Sequence, residues 1–246
     1  MPDLDVHRRL FPALLGLALF LGPSAAAGPL TDAVDTNDLA LVQKLLADGA
    51  DVNETGRKGM PIHIAAEQGA TEIIAALIAA GADIEAEGRA GAHPLHLAAA
   101  KNHTAAVTLL LDQGAQVEAT DNFGFTPLMA ALASPPEGFD TAVLLLAAGA
   151  DPDARDKADG MTSLHWAAGR GRLEVARFLI LKGADINARS GTETTPLHDA
   201  VWRRRLEMIG FLVGNGADIN AADRNGETPV DFARGNAEVI GLLRAP

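Results

Sequence analysis

The stretch TSLHWAAGRGRLEVARFLILKGADINA, residues 162–188, decides the fold of this 246-residue chain. Its opening LHWAA is short and rich in alanine, which allows close helix packing, and the glycines of GRGR at 169–172 break that first helix. The segment EVARFLILKG, residues 174–183, then carries apolar residues at helical spacing and ends in glycine, as helices commonly do. The stretch therefore predicts two antiparallel helices followed by an extended loop.

The same pattern occurs seven times along the chain. The apolar residue that follows the proline-like position recurs after steps of 32, 33, 33, 36, 33 and 33 residues, at Leu30, Ile62, Leu95, Leu128, Leu164, Leu197 and Val230. The fourth copy is longer because it contains SPPEGF. A single helix pair is too thin to bury its own apolar face, so neighbouring copies must stack.

Over residues 29–243 the pattern resembles the ankyrin repeat family, most clearly in MPIHIAAEQGATEIIAALIAAGADIEA (60–86), in 162–188 and in GETPVDFA (226–233). The resemblance implies an all-α solenoid of about seven stacked helix–turn–helix repeats with projecting hairpin loops, the two end copies acting as caps. We expect the domain to span 28–246, with copies at approximately 28–54, 55–87, 88–120, 121–154, 155–189, 190–222 and 223–246.

The first 27 residues are predicted to be a signal peptide. Arg8 and Arg9 precede an apolar run at 10–22, and PSAAA at 23–27 has the small residues of a cleavage site, so we expect cleavage after Ala27. An uncleaved membrane anchor is the alternative, although the run is short of the roughly 20 residues that span a bilayer. The excess of arginine over lysine favours a bacterial source, and the mature chain is expected in the periplasm or secreted.

Composition excludes several classes of function. The chain has no cysteine, which excludes disulfides and thiolate metal sites. Its net charge of −12 argues against nucleic-acid binding, which needs a basic surface. No nucleophile, metalloprotease or phosphate-loop motif is present, and His198–Asp199 lies beside no plausible nucleophile. We therefore expect neither an enzyme nor a cofactor.

Histidine recurs once per copy in four copies, at His63, His96, His165 and His198. Packed helices lie about 8–10 Å apart, so neighbouring members of this row cannot share one metal ion. We interpret them as structural residues that hydrogen-bond loop backbone.

Two other segments resemble metal sites. His93 and His96 could share a helix face, but no carboxylate or third histidine joins them by spacing. DPDARDKADG at 151–160 resembles a calcium loop, but the order of ligands fails at Arg155. We interpret it as a hairpin loop lengthened by one residue.

The resemblance implies that a partner protein is bound by the loop tips and the inner face of the first helices. The matching candidate residues are Trp202, Arg203, Arg204, Arg170, Met161, Phe123, Phe125, Lys101 and Arg89. Two alternatives stay open, namely that Trp202 packs on the next copy and that one of the two phenylalanines tucks against a neighbouring loop. Tryptophan and arginine are the residues that dominate interface hot spots.

Charge divides the chain into unequal parts. Residues 28–154 contain 5 basic and 18 acidic residues, whereas 155–205 contain 10 basic and 6 acidic residues. A basic segment in an acidic body can steer and orient a partner that has an acidic patch. We therefore expect a monomeric, non-enzymatic scaffold that holds another protein, or alternatively an inhibitor or immunity-type protein that blocks a partner enzyme.

Overall fold

The computed structural model describes residues 28–133 and 139–244. These residues form fourteen α-helices in seven pairs, and their only strand-like feature is an isolated bridge between Gly56 and Gly59. The predicted all-α solenoid of stacked helix pairs is confirmed. The predicted signal peptide, residues 1–27, lies outside the described part of the chain.

Each copy contributes a first and a second helix, and helices of the same kind pack on one another from copy to copy. The first helices are α1 (Pro29–Asp35), α3 (Pro61–Gln68), α5 (Pro94–Ala100), α7 (Pro127–Ala133), α9 (Ser163–Arg170), α11 (Pro196–Trp202) and α13 (Pro229–Phe232). The second helices are α2 (Leu39–Ala47), α4 (Thr71–Ala79), α6 (Thr104–Asp112), α8 (Phe139–Ala147), α10 (Leu173–Leu181), α12 (Leu206–Gly214) and α14 (Ala237–Leu243).

The core is a row of aliphatic side chains supplied once per copy. The repeated apolar residues from Leu30 to Leu197 are all buried, with at most 1% of their surface exposed. Val230 in the last copy is only partly buried, because no further helix pair among the described residues covers α13. Alanines such as Ala65 and Ala98, both fully buried, let consecutive first helices approach closely.

Backbone hydrogen bonds join the loop tips of successive copies. The amide of Asn122 donates to the carbonyl of Ala90 (2.9 Å), and that of Lys157 donates to Phe123 (2.8 Å). Each tip is thereby fixed against its neighbour. The resulting row of loops is a preorganised edge and not a set of independent mobile turns.

The segment that resembles a calcium loop is one of these hairpin loops. Its Asp156 is buried and accepts a hydrogen bond from the amide of Asp159 (2.8 Å). Arg155 donates to the carbonyl of Gly160 (3.0 Å). Asp156, one of the acids that suggested metal ligation, therefore closes the turn of the loop.

Candidate functional site

The histidine row lies at the junction between the first helices and the loops. His165 is buried, its Nδ1 accepts from the amide of Thr162 (3.1 Å), and its Nε2 donates to the carbonyl of Thr194 in the next copy (3.1 Å). Burial lowers its pKa to about 4. The imidazole is therefore neutral at physiological pH, and both of its nitrogens hold backbone in place.

The other three histidines make the same contact with the following loop. His63 lies 3.1 Å from the carbonyl of Ala92, His96 lies 2.9 Å from that of Phe125, and His198 lies 3.3 Å from that of Glu227. Burial lowers the pKa of all three, for His96 to about 4. This geometry gives the row a structural role.

His93 and His96 do acquire a carboxylate neighbour that their spacing does not reveal. Glu85 Oε2 lies 3.1 Å from His93 Nδ1. However, both nitrogens of His96 are taken by backbone, the amide of His93 (3.2 Å) and the carbonyl of Phe125. Within 28–133 and 139–244 no three His, Asp or Glu side chains are placed to hold a metal ion.

The two loop phenylalanines have different surroundings. Phe123 is 44% exposed at a loop tip. Phe125 is partly buried, and its ring lies 5.3 Å from that of Trp166 on α9 of the next copy. Phe125 is thus the member of the pair that packs, and it joins the loop edge to the inner face of the first helices.

Arg170 lies beside the same tryptophan. Its Cζ is 4.8 Å from the centroid of Trp166, and its Nη2 donates to the carbonyl of Ala133 (3.0 Å). Burial, followed by the like charges of Arg172 and Arg203, lowers the pKa of Arg170 to about 10. The charge of Arg170 is therefore disfavoured by its burial and by the two neighbouring guanidinium groups, a situation that a nearby anion would relieve.

Trp202 is both packed and accessible. It is 37% exposed, its ring lies 6.3 Å from that of Phe232 in the last copy, and the Cζ of Arg234 lies 4.6 Å from its centroid. Its neighbours Arg203 and Arg204 are exposed. The indole is therefore held in one orientation by the last copy while part of it faces solvent.

Asp199 belongs to this surface, although the sequence interpretation did not select it. It stands two residues after Leu197, and the equivalent positions of the other first helices from the second copy onward are apolar: Ile64, Leu97, Ala130, Trp166 and Phe232. The repeat alignment alone would have revealed this one carboxylate in an apolar row.

The surroundings of Asp199 disfavour its charge. Its Oδ2 is buried and has no hydrogen-bond partner among the described residues. Burial raises its pKa to about 7 despite the opposing charge of Arg203, and Asp159 adds to the rise. A carboxyl group poised in this way on an accessible face is typical of a functional position.

We define the inner-face cluster as Phe125, Trp166, Arg170, Asp199, Trp202 and Arg203. It spans the loop of the fourth copy and the first helices, with their C-terminal turn, of the fifth and sixth copies. A Cβ placed on Gly169 would lie 3.7 Å from that of Asp199, which shows how closely α9 and α11 approach here. Asp199, Trp202 and Arg203 share one helix face, since they are three and four residues apart.

Three further candidates, Arg89, Lys101 and Met161, have other contacts. Arg89 donates to the carbonyl of Arg57 (3.0 Å), and Lys101 pairs with Glu67 (3.2 Å), so both link neighbouring copies. Met161 is partly buried, and its carbonyl accepts from the amide of Asp156 (3.1 Å).

None of the described helices is long and apolar enough to cross a membrane.

Comparison with known proteins agrees with this architecture. The family model for ankyrin repeats in three copies matches residues 30–121, 62–156 and 128–223, and a second model, for many copies, matches 203–244. The structure is similar to the crystal structure of the ankyrin repeat domain of Bcl-3, a unique member of the IkappaB protein family. The TM-score is 0.79 and the identity 30%, over 90% of this chain and 100% of that one.

A shorter likeness is found in E3 ubiquitin-protein ligase KEG of Arabidopsis thaliana, which is 42% identical over 60 residues. That segment is 24% of this chain and only 4% of the plant protein. Ankyrin repeats are generally scaffolds for protein–protein interaction and are typically not enzymatic. From its repeated sequence, its helix pairs and these matches, the chain belongs to the ankyrin repeat family.

Proposed function

We propose that this protein is a non-enzymatic scaffold that holds a partner protein with an acidic patch on the inner-face cluster and the adjoining loop tips. The observation that carries this proposal is Trp202, an oriented and partly exposed indole beside a group of arginines. These residues lie in a segment whose charge is opposite to that of the rest of the chain.

The physical chemistry of the cluster supports such a role. Aromatic and arginine side chains that are already fixed lose little conformational entropy when a partner binds. Contacts from the last copy and from Phe125 fix the two indoles here. An acidic partner would also favour the charged form of Arg170, which burial and the like charges of Arg172 and Arg203 disfavour.

The experiment is capture of a partner by immobilised mature chain, residues 28–246, from an extract of the producing cell. The captured protein is then titrated against wild type, Trp202→Ala and Leu181→Ala. Leu181 is the control because it is 78% exposed on a second helix, away from the inner face. We expect Trp202→Ala to weaken binding about thirtyfold, or roughly 2 kcal/mol, and Leu181→Ala to leave it unchanged.

Folding is measured on the same variants. Since part of Trp202 is already exposed, Trp202→Ala should cost less than about 1.5 kcal/mol of stability. A large loss of stability with normal affinity in the folded fraction would show that Trp202 is only packing, and would contradict the proposal.

The alternative role, inhibition of a partner enzyme, is separated by assaying the captured protein. A scaffold leaves the activity of its partner intact, whereas an inhibitor that fills a catalytic cleft abolishes it. A concave face can serve either purpose, so the activity assay decides between them.

We further propose that the mature chain acts as a monomer in the periplasm or outside the cell. The basic, apolar and small-residue order of residues 1–27 supports export. Residues 1–32 fused to a reporter that works only outside the cytoplasm should give an active reporter, and the mature N-terminus should be Gly28. A purified protein that retains residues 10–21 would favour a membrane anchor instead.

A further inference from the structure

A cleft that shares Trp202 with the inner-face cluster lies at the junction of the last two copies. It has a volume of about 280 Å³ and is lined by Val201, Trp202, Arg204, Phe232, Ala233, Arg234 and Val239. Sites for whole small molecules run from about 300 to 1,000 Å³, so this cleft suits one or two side chains of a larger partner. Its walls are aliphatic and aromatic, and its only charged lining residues are two arginines.

The charges of these arginines are not neutralised inside the protein. Among the described residues neither Arg204 nor Arg234 forms an ion pair, and no acidic residue lines the cleft. Asp231, on the adjacent helix α13, is committed elsewhere, because its Oδ2 accepts from the amide (2.8 Å) and hydroxyl (2.7 Å) of Thr228. The cleft therefore offers two guanidinium groups beside an aromatic wall.

The backbone at Arg204 is unfavourable for an arginine. Its φ of 53° lies in the left-handed region, at the turn between the first and second helices of its copy. Four earlier copies fill this turn with residues that tolerate that conformation, namely Asn37, Gly69, Asn102 and Gly171. An arginine gives the turn no advantage over glycine or asparagine, and strain of this kind persists where a side chain serves another purpose.

We propose that this cleft binds a glutamate or aspartate side chain in an acidic, extended segment of the partner protein, with the carboxylate between Arg204 and Arg234 and a neighbouring apolar side chain against Trp202 and Phe232. This inference rests on the proposed function and adds the chemistry of the partner to it. Guanidinium groups bind carboxylates through paired, charge-assisted hydrogen bonds. A long nucleic-acid strand fits less well, because residues 206–246, which comprise the second half of the sixth copy and the whole last copy, have 3 basic and 6 acidic residues.

The probe is a fluorescein-labelled decapeptide of alternating glutamate and leucine, titrated by fluorescence anisotropy against the mature chain at low salt. A second peptide carries glutamine at every glutamate position. We expect the glutamine peptide to bind at least about tenfold more weakly, since a charge-assisted hydrogen bond is stronger than a neutral one.

The double variant Arg204→Gln/Arg234→Gln should also lose at least about tenfold in affinity for the glutamate peptide. The matched control, Lys44→Gln/Arg57→Gln, removes the same charge from the first two copies and should change affinity less than about twofold. Arg204→Gly is a further variant whose folding is secure, because Gly69 and Gly171 already occupy this turn. This variant should raise the melting temperature of the protein and weaken its binding of the glutamate peptide.

Three results would overturn the inference: no binding of the glutamate peptide to wild type, equal binding of both peptides, or equal loss in the cleft and control variants. If Trp202→Ala weakens binding of the captured partner while the cleft variants bind the glutamate peptide normally, the proposed function stands and the proposed role of the cleft is wrong. If the cleft variants bind the glutamate peptide more weakly but Trp202→Ala leaves binding of the captured partner unchanged, the proposed role of the cleft stands and the proposed inner-face site is wrong.

Discussion

The guanidinium of Arg234 lies over the indole of Trp202, with its Cζ 4.6 Å from the ring centroid, although the two residues belong to different copies. Trp202 occupies a position that is filled by different residues in different copies of the repeat. The contact shows that the last copy both caps the stack and orients the residue on which the proposed binding surface depends.

The row of buried aliphatic residues should dominate stability. Leu164→Ala removes a fully buried side chain from the middle of the stack and should lower the free energy of unfolding by about 2–5 kcal/mol. Leu181→Ala removes the same atoms from a side chain that is 78% exposed and should cost less than about 0.5 kcal/mol. Urea denaturation followed by circular dichroism measures both, and similar losses would contradict the assigned core.

The histidine row should make the fold sensitive to acid. The pKa of His165 is about 4 in the folded state, below the ordinary value of 6.5, so its contribution is full above about pH 6.5 and is lost as pH falls toward 4. The loss should reach as much as about 3 kcal/mol for this residue. His165→Asn should flatten the dependence of unfolding free energy on pH between 6.5 and 4.

The same variant tests the structural role directly. His165→Asn should cost about 1–3 kcal/mol at pH 7.5, because the shorter side chain leaves the buried carbonyl of Thr194 without its donor. Zinc should raise the melting temperature of neither protein. A zinc-dependent rise that disappears in a His93→Ala/His96→Ala protein would contradict the structural interpretation of the histidines.

Asp199 should have the opposite pH dependence. Its pKa of about 7 exceeds the ordinary 3.8, so the folded state holds a proton that the unfolded state has released, and stability falls as pH rises from about 4 to 7. Asp199→Asn should therefore stabilise the protein by about 1–3 kcal/mol at pH 8 and by much less at pH 4. Asp112→Asn, at an exposed position, is the control, and an equal gain there would contradict the assignment of the effect to Asp199.

The loop edge should depend on Gly124. Its φ is +78°, and a Cβ there would lie 2.7 Å from the amide nitrogen of Lys157 in the next copy. Gly124→Ala should cost about 2–3 kcal/mol, since it adds a clash to the penalty for a left-handed alanine. Gly114→Ala has a similar φ of +94° but open space, and it should cost only about 1 kcal/mol. Thermal melts of the two variants compare them, and equal costs would show that the loop contact has no influence.

The sequence by itself determined the helix pairs, their number and their stacking. Period and spacing carry this information locally, since each copy repeats the same proline, alanine and glycine signals and cannot bury its apolar face alone. The same reasoning placed His63, His96, His165 and His198 in one row, and the structure shows each of them against the loop of the next copy.

Only the tertiary structure decided which side chains act together. Phe125 packs while Phe123 stays exposed, Glu85 approaches His93, and Arg234 covers Trp202, although each partner lies in another copy or another loop. The sequence shows Asp199 as a carboxylate at a position that is apolar in neighbouring copies. The burial of its oxygen, however, depends on how closely α9 and α11 approach. Periodicity specifies the scaffold because every copy must satisfy it, whereas the surface between copies depends on distances that no single copy contains.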